Sequence, residues 1–117
     1  MIKAPDSWKV RRIMKEIKAY TRIHSLDSVI NKLAQTEGLN GISVSTITGF
    51  GRSRGVLRFV NFETHIKIEV VCPDELTESV ATTIEDTART GRRGDGKIYI
   101  SNIEESIRIE NGERNET

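Results

Sequence analysis

The chain has 117 residues, with 18 Lys and Arg against 17 Asp and Glu, and a net charge of +1. This length indicates one domain, and the balanced charge argues against a nucleic-acid partner or an anionic membrane surface. Aromatic residues make up only 5% of the chain, which favours an oligomer that buries further apolar surface. Cys72 is the single cysteine, so an intrachain disulfide is excluded. We expect a cytoplasmic protein without membrane insertion, because no signal peptide or long apolar run is found.

Residues 1–13 are predicted to be an N-terminal extension, followed by one domain at residues 14–114 and a flexible polar tail at residues 115–117. Trp8 is the only tryptophan and is followed by basic residues. The extension is either a mobile arm that packs Trp8 on a neighbour or a docking arm for a partner, since Trp and Arg are enriched at interface anchors.

The first elements follow from alternation and helical spacing. Residues 14–23 alternate and predict a strand. Ser25 is then a good N-cap, with Asp27 in the first helical turn. One helical face carries the apolar residues of this segment before Gly38 ends it, namely Leu26, Val29, Ile30 and Leu33.

The rest of the chain predicts further strands and a second helix. Residues 42–48 predict a strand that ends at a glycine-rich corner, residues 49–52, and a connection at 51–64 leads to a strand at 65–71. Pro73 and Asp74 open a second helix, which has an apolar stripe and ends at Gly91. A strand at 97–101 follows, and residues 103–109 predict a helical turn that passes into a short strand.

This element order predicts an α+β fold, a ferredoxin-like βαββαβ sandwich with an antiparallel sheet and two helices on one face. The other face of the sheet is then either solvated or covered by another subunit.

Residues 90–97 combine three glycines with three basic residues. Glycines let backbone N–H groups approach an anion, and successive N–H groups form a concave anion site. Lys97 and the neighbouring arginines add positive charge. One interpretation is therefore a phosphate-binding loop. The other is a helix stop at Gly91 followed by a turn at residues 94–96.

The sequence predicts neither a metal site nor an enzyme. His24 and His65 have no Cys or carboxylate partners at metal-ligand spacing. The candidate acids Asp95, Glu69 and Glu110 form no recognisable nucleophile–base pair. Asp95 is predicted to cap its own glycine turn.

From Met14 to about Arg114 the chain resembles the PII nitrogen-regulatory signal proteins. The resemblance is carried by several motifs in the correct order, at residues 14–17, 26–29, 41–45, 49–55, 67–71, 90–97, 107–109 and 112–113. Residues 90–97 resemble the family's C-terminal signature, and residues 49–55 lead into the loop known in the family as the T-loop.

The resemblance implies a homotrimer with adenine nucleotide (ATP, ADP or AMP) as a regulatory ligand in the clefts between subunits, and no other cofactor. It implies phosphate contacts at Gly51, Arg52, the turn of Gly94, Asp95, Gly96 and Lys97, and Arg108 of the adjacent subunit. It implies further that Ser43 lies near the adenine and that the backbone of Val71 contacts the base.

The chain also departs from the family pattern. Ten residues separate Gly55 from Ile66, which makes the T-loop short, and the tyrosine that some members uridylylate has no counterpart. Ser53 stands where the family has a glutamine that helps to bind magnesium and 2-oxoglutarate, and its hydroxyl is too short to replace that amide. Uridylylation and 2-oxoglutarate sensing are therefore not expected.

Two further departures concern the phosphates. His65 stands at a lysine position, and Glu110 stands at the position of a second phosphate-binding arginine. One lost charge-assisted contact is worth about 1.5–3 kcal/mol, and carboxylate–phosphate repulsion adds to this loss. We predict weaker ATP binding than in typical members, with ADP or AMP relatively favoured.

The predicted function is that of a PII-like signal-transduction protein that binds adenine nucleotide and regulates a partner transporter or metabolic enzyme through its T-loop region. Two alternatives remain open. One is a trimeric scaffold that has lost nucleotide sensing, with Trp8 and residues 56–62 as a fixed interface. The other is a slow nucleotide hydrolase.

Overall fold

The structure is a computed structural model that describes residues 13–53, 55–60 and 65–115. It has an α+β fold with two helices and an antiparallel sheet, as predicted. A 3-10 turn at Ile23–Ser25 precedes the first helix. The strands and helices are β1 (Met14–Arg22), α1 (Leu26–Leu33), β2 (Ser43–Thr46), β3 (Gly49–Ser53), β4 (Val56–Val60), β5 (His65–Pro73), α2 (Asp74–Ala88) and β6 (Gly96–Ile103).

The main sheet has the strand order β2-β5-β1-β6, and all neighbouring strands are antiparallel. β5 and β1 are therefore the central strands, and β2 and β6 form the two edges. In the register, Ile17 lies opposite Val70 and Ile100, and Ala19 lies opposite Ile68 and Ile98.

The core lies between one face of this sheet and the two helices. Alternate side chains of β1 and β5 are buried, because successive residues of a strand point to opposite faces. They pack against the apolar faces of both helices in one cluster, formed by Ile17, Ala19, Val29, Leu33, Ile66, Ile68, Val70, Cys72, Val80, Ile84 and Ala88. The opposite face of β5 carries side chains such as Lys67 and Glu69, which form an ion pair at 3.1 Å.

The glycine-rich corner and the connection predicted at residues 49–64 are different in the structure. β3 and β4 form a separate two-stranded antiparallel sheet, with Phe50 opposite Phe59. Gly55, which has a positive φ of 78°, lies between the two strands. The prediction missed this hairpin because two glycines and an arginine conceal the two-residue alternation of β3.

The helical turn predicted at residues 103–109 is wrong. β6 continues to Ile103, and the chain then forms a turn closed by the isolated bridge between Ile107 and Arg114. The N–H of Arg108 donates to the carbonyl of Glu113 at 2.7 Å. The N–H of Asn115 donates to the carbonyl of Ser106 at 2.9 Å. We name residues 104–115 the C-terminal turn.

The structure covers the two predicted ends of the chain only in part. Residues 1–12 of the predicted extension, including Trp8, and residues 116–117 of the predicted tail lie outside the described residues. The carbonyl of Ile13 accepts a hydrogen bond from the N–H of Asp74 at 2.8 Å. Ser25 does precede α1, but its side chain makes no capping hydrogen bond, since the 3-10 turn already leads the chain into the helix.

Candidate functional site

The glycine-rich turn at residues 90–97 links α2 to β6 and is held by the carboxylate of Asp95. This carboxylate accepts hydrogen bonds from the N–H of Thr90 at 2.7 Å and from the N–H of Gly91 at 2.9 Å. It also accepts a hydrogen bond from the Thr90 hydroxyl. Asp95 therefore caps its own turn, as the sequence predicted.

These donors favour the ionised carboxylate. The hydroxyl of Thr90 has the largest effect, followed by the N–H of Thr90, and together with the N–H of Gly91 and the charge of Arg22 they lower the pKa of Asp95 to about 2. The turn thus contains a carboxylate that remains charged across the physiological pH range.

Several N–H groups of the turn are used internally. The N–H of Arg92 donates to the Thr90 hydroxyl at 3.2 Å, and the N–H of Asp95 donates to the carbonyl of Arg92 at 3.3 Å. With the two donors to the Asp95 carboxylate, four backbone N–H groups are engaged inside the turn. In this conformation the backbone of Asp95 is therefore not a donor for an anion.

Two glycines of the turn lie against β1. Gly96 has a φ of +125°, and a Cβ atom there would lie 1.8 Å from the carbonyl oxygen of Tyr20. Gly94 has a φ of +91°, and its Cβ would lie 3.0 Å from Nη2 of Arg22. The backbone of the turn therefore lies so close to β1 that these positions require a residue without a Cβ.

Arg22, at the end of β1, reaches this turn. Its Nη2 donates to the carbonyl of Arg93 at 2.7 Å, and its Nε lies 3.7 Å from Oδ1 of Asp95. Sequence reasoning did not select Arg22, because nothing in the local pattern distinguishes it from the other basic residues of β1. The β1–β6 pairing, which brings the end of β1 beside the turn, is the information that the sequence pattern lacked.

β6 begins at Gly96, one residue before the predicted start, and Lys97 is its exposed second residue. Its Nζ lies 5.9 Å from the centre of the Tyr99 ring, and this ring packs edge-on against Tyr20 with a centroid distance of 6.0 Å. Lys97 lies opposite Tyr20 in the register, so the three side chains share one face of the sheet.

A groove of about 490 Å³ runs beside the turn, between α2 and β6. Its lining combines aliphatic side chains with charged ones. The lining residues are Thr21, Glu78, Ala81, Thr82, Ile84, Glu85, Ala88, Arg89, Asp95, Gly96, Lys97, Ile98 and Ile100.

The remaining predicted site residues lie elsewhere in the chain. Ser43 begins β2, the sheet edge opposite to β6, and Val71 lies on β5 beyond the end of the β2 ladder. Gly51 and Arg52 lie in β3, where Nη1 of Arg52 donates to the carbonyl of Gly55 at 3.1 Å. Three strand spacings, roughly 14 Å, separate β2 from β6. One chain therefore does not bring the predicted residues into a single pocket.

Arg108 lies in the C-terminal turn. Its Nη1 is 3.5 Å from Oε1 of Glu110, and both side chains are exposed. Glu110, which the resemblance indicates stands at an arginine position, therefore lies beside Arg108. Its carboxylate offsets part of the positive charge of Arg108.

The described residues contain neither a candidate metal site nor a candidate membrane-spanning helix. Among residues 13–53, 55–60 and 65–115, no group of three or more His, Cys, Asp or Glu side chains could hold a metal ion. Within the same residues, no helix is long and apolar enough to cross a membrane.

The fold and the glycine-rich turn define a small α+β protein of the ferredoxin-like class. The sequence model described as "Nitrogen regulatory protein P-II" matches residues 14–113. The chain therefore belongs to the nitrogen regulatory protein P-II family, as the resemblance indicated.

Curated relatives agree with this assignment. The chain is 40% identical to a nitrogen regulatory protein P-II of Haemophilus influenzae over 110 residues, which cover 88% of this chain and 97% of the relative. It is 46% identical to a protein of the same name from Rhizobium meliloti over 107 residues, 86% and 95% of the two chains. These relatives are named as regulatory proteins, which confirms the prediction that the chain is a signalling protein and not an enzyme.

Solved structures show the same fold. A structure described as the B. subtilis GlnK–ATP complex matches with a TM-score of 0.75 at 24% identity and covers 91% of this chain and 95% of that one. A structure of B. subtilis GlnK matches with a TM-score of 0.70 at 25% identity and covers 87% and 95%.

Proposed function

We propose that this P-II family member is a regulator that binds adenine nucleotide in clefts between the subunits of a homotrimer. The observation that carries the proposal is the turn at residues 90–97. At Gly96 there is no space for a Cβ atom. The turn leads directly into Lys97, whose side chain lies on the face of the sheet opposite to the helices. A tightly folded glycine turn beside a cation suits a phosphate group.

The division of the predicted residues between two sheet edges supports a cleft between subunits. Ser43 and Val71 lie toward the β2 edge, whereas Lys97 belongs to the β6 edge, and the Arg108 that joins Lys97 in the proposed cleft is that of the adjacent subunit. A cyclic trimer repeats the same contact at each interface, so the edge of one subunit can meet the other edge of its neighbour. The nucleotide would then contact both groups. The ligand named for the B. subtilis GlnK complex, ATP, agrees with this choice.

The T-loop region, residues 52–65, is proposed as the part that a partner reads. Val56 and Leu57 of β4 are 55% and 51% exposed, and exposed apolar side chains on a short hairpin are suited to a protein contact. The hairpin joins β2 to β5, and Arg52 lies within it, so nucleotide bound at Arg52 can change the conformation of the hairpin. The regulated partner is a transporter or a metabolic enzyme, and the proposed location is the cytoplasm.

Titration calorimetry with ATP, ADP and AMP tests the proposal. We expect binding by the unchanged protein and its loss in Lys97→Ala and Arg52→Ala. Lys32→Ala, which removes an exposed lysine of α1, controls for the change in charge and is expected to bind as the unchanged protein does. No binding of any of the three nucleotides would overturn the proposal.

The same titration decides nucleotide preference. Because Glu110 lies beside Arg108, ATP is expected to gain less from its third phosphate than in typical members, and Glu110→Gln is expected to increase ATP affinity more than AMP affinity. Equal or tighter ATP binding than in typical members, with no effect of Glu110→Gln, would contradict this preference.

A trimeric scaffold without nucleotide sensing is the second candidate. The contact between Arg108 and Glu110 favours it, since this pair leaves less positive charge for a phosphate. A stable trimer that binds no nucleotide would support the scaffold.

A further inference from the structure

The end of β1 contributes a cation to the glycine-rich turn. Arg22 donates from Nη2 to the carbonyl of Arg93 at 2.7 Å and places Nε 3.7 Å from the carboxylate of Asp95. The side chains of Arg22 and Asp95 are 29% and 21% exposed, so both are largely covered. One guanidinium thus connects a central strand to two positions of the turn.

The shape of the turn accommodates this guanidinium. Gly94 has a φ of +91°, and the nearest atom to the position of its absent Cβ is Nη2 of Arg22, at 3.0 Å. A side chain at this position would press against the arginine. The glycine therefore allows Arg22 to lie against the backbone of the turn while it donates to the carbonyl of the preceding residue, Arg93.

The carboxylate of Asp95 presents an electrostatic difficulty for an anion site. Asp95 organises the turn by accepting hydrogen bonds from Thr90 and Gly91, but its negative charge repels a phosphate at short range. A cation in contact with the carboxylate offsets that repulsion. Arg22 is in this position, and it reaches the turn from β1, outside the segment of residues 90–97.

We propose that Arg22 is a positioning residue for the turn at residues 90–97. It fixes the conformation through the Arg93 carbonyl and neutralises the Asp95 carboxylate, so that the turn can accept a phosphate. The second part rests on the proposed function, whereas the first part concerns the ligand-free protein and stands without it.

Amide hydrogen exchange of the ligand-free protein tests the first part. In Arg22→Met, which keeps an unbranched side chain but removes its donors, we expect the Thr90 and Gly91 amides to exchange about tenfold faster or more. Lys15→Met is the matched control. Lys15 lies at the other end of β1 and contacts Asn102 at 2.7 Å and Asp74 at 3.6 Å, and its loss should leave the turn unchanged. Unchanged exchange in Arg22→Met would overturn the proposal.

ATP titration tests the neutralisation. Arg22→Met is expected to weaken ATP binding about tenfold or more, a free-energy loss of about 1.4 kcal/mol. Arg22→Lys, which keeps the charge, should retain more affinity than Arg22→Met. Adding Asp95→Asn to Arg22→Met should restore part of the lost affinity, because the uncompensated charge is then absent while the amide oxygen can still accept a hydrogen bond.

The outcomes separate this proposal from the proposed function. A double variant that binds ATP no better than Arg22→Met would contradict neutralisation by Arg22. If the unchanged protein binds no nucleotide, the proposed function and the neutralisation both fail. The exchange experiment then still decides whether Arg22 positions the turn.

Discussion

Gly96 is the residue at which the backbone has the least space. Because a Cβ there would lie 1.8 Å from the Tyr20 carbonyl, the substitution Gly96→Ala must shift β1 or the start of β6. We expect it to lower the free energy of unfolding by at least about 2 kcal/mol, measured by urea denaturation at fixed protein concentration.

Gly91→Ala is the control for this prediction. Gly91 also has a positive φ, +82°, but its Cβ would meet no atom within 4 Å. Its cost is then the backbone strain alone, about 1–2 kcal/mol. Equal losses in the two variants would show that the close approach to Tyr20 has no energetic consequence.

Asp95 should make the stability of the protein depend on pH. The pKa of its carboxyl is lowered from 3.8 to about 2, so the folded state favours the ionised form. Its contribution is fully present above about pH 4 and is lost as the pH falls toward 2. We expect Asp95→Asn to lower stability at pH 7, and this difference should shrink as the pH falls from about 4 to 2.

Urea denaturation from pH 2 to pH 7 measures this dependence. Asp86→Asn, which removes an exposed carboxylate of α2, controls for the change in net charge. If the hydrogen-bonded carboxylate is the source of the stability difference between the unchanged protein and Asp95→Asn, this difference must change over the pH range. A constant difference would exclude that source.

At the scale of elements, α2 connects the core to the glycine-rich turn. Ile84 is completely buried between α2 and the sheet, whereas Ile109 in the C-terminal turn is 99% exposed. Ile84→Ala removes packed atoms and leaves a cavity, so we expect a loss of about 2–5 kcal/mol. Ile109→Ala makes the same chemical change at the surface and should change stability by about 0.5 kcal/mol or less. Chemical denaturation of both variants measures the two losses of stability. Similar losses would contradict the described core.

The regular elements could be predicted because their apolar spacing is local. The positions of Val80 and Ile84 indicate the buried face of α2, and the alternation of β5 is visible from Ile66 onward. Elements without such spacing were missed. β3 contains two glycines and an arginine, and the turn after β6 is held by contacts between Ser106 and Asn115, nine positions apart.

Only one part of the candidate site could be predicted from the residues themselves. Local composition revealed the turn at residues 90–97, and the hydrogen bonds of Asp95 within it follow from the same short segment. Arg22 lies about seventy positions earlier in the chain, and only the pairing of β1 with β6 brings it to Asp95. Family resemblance supplied the residues at the other edge, such as Ser43, since no physical pattern in the sequence connects them to the turn.

For the whole molecule, a complete copy of the proposed nucleotide site requires assembly of several subunits. In the described chain, Ser43 lies on the β2 edge of the sheet and Lys97 on the β6 edge. We therefore expect the protein to form a trimer, with a mass close to three times 13.2 kDa by light scattering. A monomer that binds nucleotide would contradict a site between subunits.

Complementation between variants tests whether neighbouring subunits share the nucleotide site. Lys97→Ala and Arg108→Ala are each expected to abolish ATP binding. When the two variants are refolded together, some clefts of the mixed trimers combine an intact Lys97 of one subunit with an intact Arg108 of its neighbour. Random mixing at equal amounts makes about a quarter of the clefts intact, so we expect calorimetry to show ATP binding at about that stoichiometry. Mixed trimers without any recovered binding would contradict a shared site.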